Sequence, residues 1–121
     1  MRGVALALCF CAVSAGAETR CGWYENPTPA NQWLVDRDGM WVLSTQGGLE
    51  APPGFYNLPE AAFAFDLEWV SSNGEPGDGY YGYGCACIEG AFEAPGTVLR
   101  VDSMRPVPLM RCEEDPDLPA R

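Results

Sequence analysis

The chain has 121 residues, room for one domain, and carries 17 acidic against seven basic residues, a formal net charge of −10 at pH 7. It contains no histidine, which removes the side chain that most often serves as a general base or metal ligand near neutral pH. The strong negative charge argues against nucleic acid and anionic membrane surfaces as partners.

The first 17 residues have the pattern of a secretory signal peptide. Arg2 supplies a positive start, residues 3–13 are apolar but too few to span a bilayer, and Ala15 and Ala17 give a small-residue cleavage site. We therefore expect a periplasmic or secreted protein without a membrane anchor, in which residues 18–121 form a single small β domain. Cleavage removes one of the seven basic residues, so six oppose 17 acids and the net charge becomes −11.

The first strand is predicted over residues 19–24, and it ends at the NPTP segment because proline lacks the backbone donor of a sheet ladder. The next segment, NQWLVDRDGMWVLST, predicts a hairpin that turns at Asp38 and Gly39, a pair that tolerates positive φ angles. A turn at these two residues would pair Val35 with Val42. Apolar side chains point to both faces of this hairpin, so we expect it to be covered on both sides.

The second half of the chain begins with FAFDLEWV, residues 63–70, whose alternation predicts a strand. A short helix that starts near Pro59 is the alternative. An acidic loop, SSNGEPGDG, precedes two strands over residues 80–88 and 97–104, and a proline-rich tail begins at Arg105. The pattern indicates an all-β fold, a disulfide-stapled antiparallel barrel or sandwich of about five or six strands with one short helix allowed.

The cysteines of the stretch YYGYGCACIEG, Cys85 and Cys87, are one residue apart. Residues two apart on a strand have Cβ atoms roughly 6–7 Å from each other, whereas a disulfide needs about 3.8 Å. Each should therefore pair with a separate partner, and Cys21 and Cys112 are the cysteines left in the mature chain. Two connectivities stay open, Cys21–Cys85 with Cys87–Cys112, or Cys21–Cys87 with Cys85–Cys112. A redox pair or a soft-metal site is less favoured, because the neighbouring Glu89 opposes thiolate formation and histidine ligands are missing.

The same strand carries three tyrosines, Tyr80, Tyr81 and Tyr83, which are the candidate binding residues. Alternation places Tyr81 and Tyr83 on one face with the cysteines, and Tyr80 on the other face, where Gly82 and Gly84 leave a trough beside the backbone. A tryptophan of the hairpin could fill this trough as part of the core, which is the favoured interpretation. The alternative is a shallow ligand groove lined by the three tyrosines.

Several unusual motifs occur in order along the chain: RCGW, NPTP, a DxDG hairpin, QGG and YGYGCAC. Together they resemble a family of small secreted bacterial proteins, domain-of-unknown-function family 4087. The resemblance covers nearly all of the mature chain and departs from the pattern by an inserted EPGD before YYGYG. It implies export and a small domain, and it brings no assigned activity.

Candidate chemistry in the sequence is sparse. Asp36 and Asp38 match only the start of a calcium loop, whose fifth residue would have to be another acid and is Met40 here, so we interpret them as a hairpin turn and expect no metal or other cofactor. The serines have no histidine to activate them, and the acids offer no fixed pair for glycoside hydrolysis. We expect a non-catalytic binding or inhibitory module with a cationic protein partner. The alternative is a structural or assembly protein of the cell envelope; the oligomeric state stays open.

Overall fold

The computed structural model describes Gly3, residues 16–48 and residues 50–121, so the predicted signal peptide lies almost wholly outside the described residues. Within the described part, the regular elements are six strands and one short helix: β1 Glu18–Thr28, β2 Asn31–Asp36, β3 Gly39–Ser44, β4 Trp69–Ser71, β5 Gly82–Glu93, β6 Thr97–Val107 and α1 Leu109–Glu113. Two 3₁₀ turns, Phe55–Asn57 and Glu60–Phe63, lie between β3 and β4. None of the helices described is long and apolar enough to cross a membrane.

Strand β5 organises the sheet. One of its edges pairs with β1, from Asn26 opposite Gly82 to Glu18 opposite Gly90. The other edge is shared by the three residues of β4 and the longer β6. The antiparallel order β1-β2-β3 continues the sheet, and one parallel bridge between Val42 and Thr97 joins β3 to β6. The sheet thus closes in a ring without forming a regular barrel, and the predicted small all-β fold with disulfides is confirmed.

The two faces of β5 bury two different clusters. The aromatic core consists of Tyr24, Leu34, Trp41, Leu43, Phe55, Ala62, Phe65, Trp69, Ala86, Ile88, Val98, Val101 and Met104. The disulfide core consists of Trp23, Val35, Cys85, Cys87, Val107 and Cys112. Neighbouring residues along the strand alternate between them, as the two-residue period of an extended chain requires.

The structure contains two disulfides, Cys21–Cys87 and Cys85–Cys112, which is one of the two pairings that the sequence left open. Cys21 and Cys87 lie directly opposite each other on β1 and β5. The second bridge holds helix α1 against β5 and brings the C-terminal segment over the disulfide core. There the indole Nε1 of Trp23 donates to the carbonyl oxygen of Pro119 at 2.9 Å, and Arg121 forms an ion pair with Glu25.

One face of the β2–β3 hairpin is buried, but on the other face Met40 and Val42 are 47% and 38% exposed, so the predicted cover on both sides is found only over β2. The predicted register of the hairpin is also wrong. Val35 pairs with Met40 rather than Val42, so the turn consists of Arg37 and Asp38. The cause is a side chain: Asp36 Oδ1 accepts a hydrogen bond from the backbone N–H of Asp38 at 2.9 Å, which fixes the turn one residue early. Each residue from Trp33 to Val35 pairs two positions earlier on β3 than predicted, so these side chains keep their predicted faces. The pairing shifts by one further residue between Gln32 and Trp33.

The predicted strand over residues 63–70 is mostly wrong. Its first residue ends the 3₁₀ turn Glu60–Phe63, close to the short helix that was the alternative, and only Trp69–Ser71 pairs as a strand. Beyond residue 84 the edge of β5 is occupied by β6, so a longer β4 would have no partner. The tail also begins later than predicted, because residues 105–107 complete β6.

Candidate functional site

The trough beside Gly82 and Gly84 is filled by aromatic rings, though not by those of the hairpin. Tyr24 on β1 and Trp69 on β4 both lie opposite Gly84, one on each side of β5. A Cβ atom added to Gly84 would lie 2.5 Å from a ring carbon of Phe65 and 3.0 Å from one of Trp69. Glycine is therefore required here so that the rings can lie directly on the backbone.

The rings of Tyr24, Phe65 and Trp69 form a packed aromatic group. Tyr24 and Phe65 stack with centroids 5.4 Å apart and planes only 8° from parallel, and Phe65 meets Trp69 at 4.8 Å. All three are buried, with exposed fractions of 2%, 3% and 8%. They make a rigid floor, since each ring is held by its neighbours.

Above this floor the structure has an open cleft of about 430 Å³. Its lining combines aromatic rings with a few polar groups: Tyr24, Asn26, Gln32, Phe63, Phe65, Trp69, Asp78, Gly79, Tyr80 and Tyr81. The accessible surface of this lining is about equally polar and apolar, so the cleft is more polar than the usual small-molecule site, whose surface is mostly apolar.

One wall of the cleft belongs to the acidic loop between β4 and β5. The indole Nε1 of Trp69 donates to the carbonyl oxygen of Tyr80 at 2.9 Å, which ties the end of this loop to the floor. Asp78 Oδ2 accepts the backbone N–H of Asp66 at 2.9 Å. The rings of Tyr80 and Tyr81 meet edge to face at 5.4 Å, and Tyr80 is half exposed. The loop therefore presents two tyrosines and a carboxylate at the mouth of the cleft.

The opposite wall is neutral and polar. The hydroxyl of Tyr24 donates to Oε1 of Gln32 across the β1–β2 pair. Burial raises the pKa of this hydroxyl above its ordinary value of 10.0, and a hydrogen bond with Asn26 offsets part of the rise. Tyr24 consequently stays protonated over the physiological range and does not act as a base there.

The charge of the cleft is one-sided. Among its described lining residues, the single charged side chain is the carboxylate of Asp78. Within residues 16–48 and 50–121, none of the ion pairs involves this carboxylate. The cleft can thus bind a neutral or positively charged group, whereas an anion would meet an unbalanced negative charge.

The three predicted binding tyrosines are separated, because Tyr80 and Tyr81 lie in the loop before β5 and only Tyr83 lies on the strand itself. Tyr80 and Tyr81 line the cleft. Tyr83 lies on the other face of β5, where its ring meets Trp23 edge to face at 5.4 Å beside the disulfide core. Only the first two are therefore brought together with the cleft.

The Asp36-x-Asp38 motif forms ion pairs with an arginine of the same chain, Arg20. Nη1 of Arg20 lies 2.9 Å from Asp36 and 2.8 Å from Asp38, and its guanidinium carbon lies 4.0 Å above the Trp41 ring. The indole of Trp41 donates to the other oxygen of Asp36 at 2.9 Å. Burial lowers the pKa of Arg20, but the hydrogen bonds and negative charges of the two aspartates outweigh it and raise the pKa overall. This cluster is a structural ion pair that fixes the hairpin on β1.

Several residues of the cleft were missed in the sequence, above all Tyr24, Phe65 and Trp69. The two glycines of YYGYG, Gly82 and Gly84, did indicate that large rings pack against this strand. The sequence did not say which rings, because that depends on the β1–β5 and β4–β5 registers.

The family model for proteins of unknown function DUF4087 matches residues 15–119. The chain belongs to this family. No curated protein and no solved structure matches the chain at a significant level. The predicted resemblance is therefore confirmed, and it assigns no activity to the cleft.

Proposed function

We propose that this DUF4087 protein is a non-catalytic binding module whose ligand is a cationic protein. The observation that carries the proposal is the cleft beside β5, where a rigid aromatic floor meets the carboxylate of Asp78, which forms no ion pair within the described residues, on a chain with a net charge of −10. Such a field raises the rate of encounter with basic surfaces and lowers it for acidic ones. An inhibitory role, in which the module covers a functional surface of its partner, is one form of this function.

We also propose that the protein acts in the periplasm or outside the cell. The two disulfides fit an extracellular or secreted protein, since such bonds persist in oxidising compartments. N-terminal sequencing of the exported protein should find Glu18 as the first residue, and mature protein that retains Met1 would contradict the proposal.

The binding proposal predicts salt-dependent association with a basic secreted protein such as lysozyme. Surface-immobilised protein should bind lysozyme but not a neutral protein of similar size, and its association rate should fall roughly tenfold between low and high salt. Tyr81→Ala should raise the dissociation constant about fivefold, because tyrosine supplies rigid contact area at the mouth of the cleft. Tyr56→Ala is the matched control, since Tyr56 is 72% exposed and lies outside the cleft.

Absence of binding, or equal binding to the basic and the neutral protein, would contradict the proposal. The alternative from the sequence, a structural or assembly protein of the envelope, would then be favoured. Equal loss in Tyr81→Ala and Tyr56→Ala would place the contact surface elsewhere on the molecule.

A further inference from the structure

The cleft and the Arg20 cluster contain the same kinds of group. In the Arg20 cluster a guanidinium lies 4.0 Å above the centre of the Trp41 ring and 5.3 Å from that of Phe92, and it forms ion pairs with aspartate carboxylates. The cleft offers aromatic rings and the carboxylate of Asp78, but the chain supplies no arginine to its described lining. The Arg20 cluster therefore shows how this fold binds a guanidinium, which is the group that would complement the cleft.

The size and shape of the cleft limit what can enter. About 430 Å³ accommodates one long side chain or a small molecule, and it is far too small for a helix or a strand of a partner. The floor rings are almost fully buried, so the accessible aromatic surface of the cleft comes chiefly from Phe63, Tyr80 and Tyr81. On flat rings of this kind a planar guanidinium stacks better than the tetrahedral ammonium of lysine. The amide groups of Asn26 and Gln32 on the opposite wall add neutral hydrogen-bonding groups within the same lining.

We propose that the cleft takes the side chain of an exposed arginine from the partner protein. This inference rests on the proposed binding function and specifies its contact. The guanidinium donates to the carboxylate of Asp78 and stacks on the accessible rings of Tyr80 and Tyr81 at the mouth, which also cover the aliphatic part of the arginine. Lysine binds the same cleft less well, and an anionic side chain is excluded.

A peptide series tests the inference directly. The probes are acetyl-Gly-Arg-Gly-amide and the same peptide with citrulline, which keeps the shape of arginine but has no charge, or with lysine. Binding is followed by NMR from the indole N–H signal of Trp69, which lies in the lining of the cleft. A single side chain should bind with a dissociation constant of roughly millimolar order, so titration to about 20 mM should approach saturation. Citrulline should bind at least tenfold more weakly than arginine, and lysine about threefold more weakly.

Two variants of equal net charge locate the contact. Asp78→Asn should weaken the arginine peptide about three- to tenfold, as expected for one partly exposed charged contact. Glu89→Gln is the matched control, because Glu89 is exposed and lies at the opposite end of β5, opposite Thr19 and Ser103. It removes the same charge and should leave the dissociation constant unchanged.

The results separate this inference from the proposed function. If the citrulline peptide binds as well as the arginine peptide, or Asp78→Asn has no effect, the arginine inference is overturned even where lysozyme still binds. If a neutral oligosaccharide shifts the Trp69 signal more strongly than any peptide, the cleft is a carbohydrate site and the inference is again overturned. If the peptides behave as expected and lysozyme does not bind, the cleft assignment stands and the protein partner proposed above is wrong.

Discussion

The disulfide core and the aromatic core lie on opposite faces of β5, and they are stabilised by different means. The disulfide core is small, and its cover is a C-terminal segment with one short helix, so covalent bonds hold that cover in place. The aromatic core is larger, contains no disulfide among its described residues, and holds its rings by packing and by side-chain hydrogen bonds such as that from Trp69 to Tyr80. The candidate cleft opens on the second side. Both disulfides therefore stabilise the face of β5 that lacks the cleft, and the face that carries the cleft has no cross-link among its described residues.

Removal of the Cys85–Cys112 bridge should give the largest effect and should fall on the disulfide core. The double variant Cys85→Ala with Cys112→Ala should lose about 2–5 kcal/mol of unfolding free energy, because the unfolded chain is no longer constrained. Release of the tail should also expose Trp23, whose indole now donates to Pro119. Urea unfolding followed by tryptophan fluorescence measures both. A loss below about 1 kcal/mol would show that packing alone holds the tail.

Gly84→Ala tests the packing of the aromatic core without touching a disulfide. The added Cβ would lie 2.5 Å from Phe65, so the stacked rings must move, and we expect a loss of about 1–3 kcal/mol in unfolding free energy. Gly79→Ala is the control in the same region, since no atom lies within 4 Å of its added Cβ. It should change stability by less than about 0.5 kcal/mol. Equal effects of the two variants in urea unfolding would contradict the tight packing at Gly84.

Tyr24 should give the smallest effect, visible only in alkali. Its pKa is raised by burial, so the folded state keeps a proton that the unfolded chain loses once the pH exceeds the ordinary value of 10.0. Its contribution to stability is constant below that pH, and the unfolding free energy should then fall by about 1.4 kcal/mol per pH unit. Tyr24→Phe should remove this part of the slope in urea titrations from about pH 9 to about pH 11. A Tyr24→Phe protein with an unchanged slope would mean that other groups cause the alkaline loss.

The sequence predicted the faces of residues 82–88 correctly, since a two-residue period depends only on the strand being extended. It was wrong for Tyr81, which precedes β5 and lines the cleft with Tyr80 instead of sharing the face of Tyr83. It also predicted that Cys85 and Cys87 have separate partners. It could not choose between the two connectivities, because both are compatible with alternation. The distinction is the register between β1 and β5, which depends on contacts far apart in the chain.

The cleft was predicted only in part, for a related reason. Tyr80 and Tyr81 were found because they adjoin an unusual motif, whereas Phe65 and Trp69 were assigned to a regular strand. Their alternation favours a strand locally, but β6 occupies the edge of β5 that a long strand would need. Which of two strands pairs with a given edge depends on residues far apart in the chain, so the local sequence does not predict it.

The direct opposition of Cys21 and Cys87 has a consequence for oxidative folding. It sets the register that places Tyr24 opposite Gly84. A directly opposed Cys21–Cys85 bridge would slide β1 by two residues, so every side chain would keep its face while Tyr24 would lie opposite Gly82. Such an isomer would look like the native protein by far-UV circular dichroism, yet its aromatic floor would be displaced. Isomers separated by reversed-phase chromatography should therefore differ in the indole signal of Trp69, and an identical signal would contradict the dependence of the cleft on this one covalent choice.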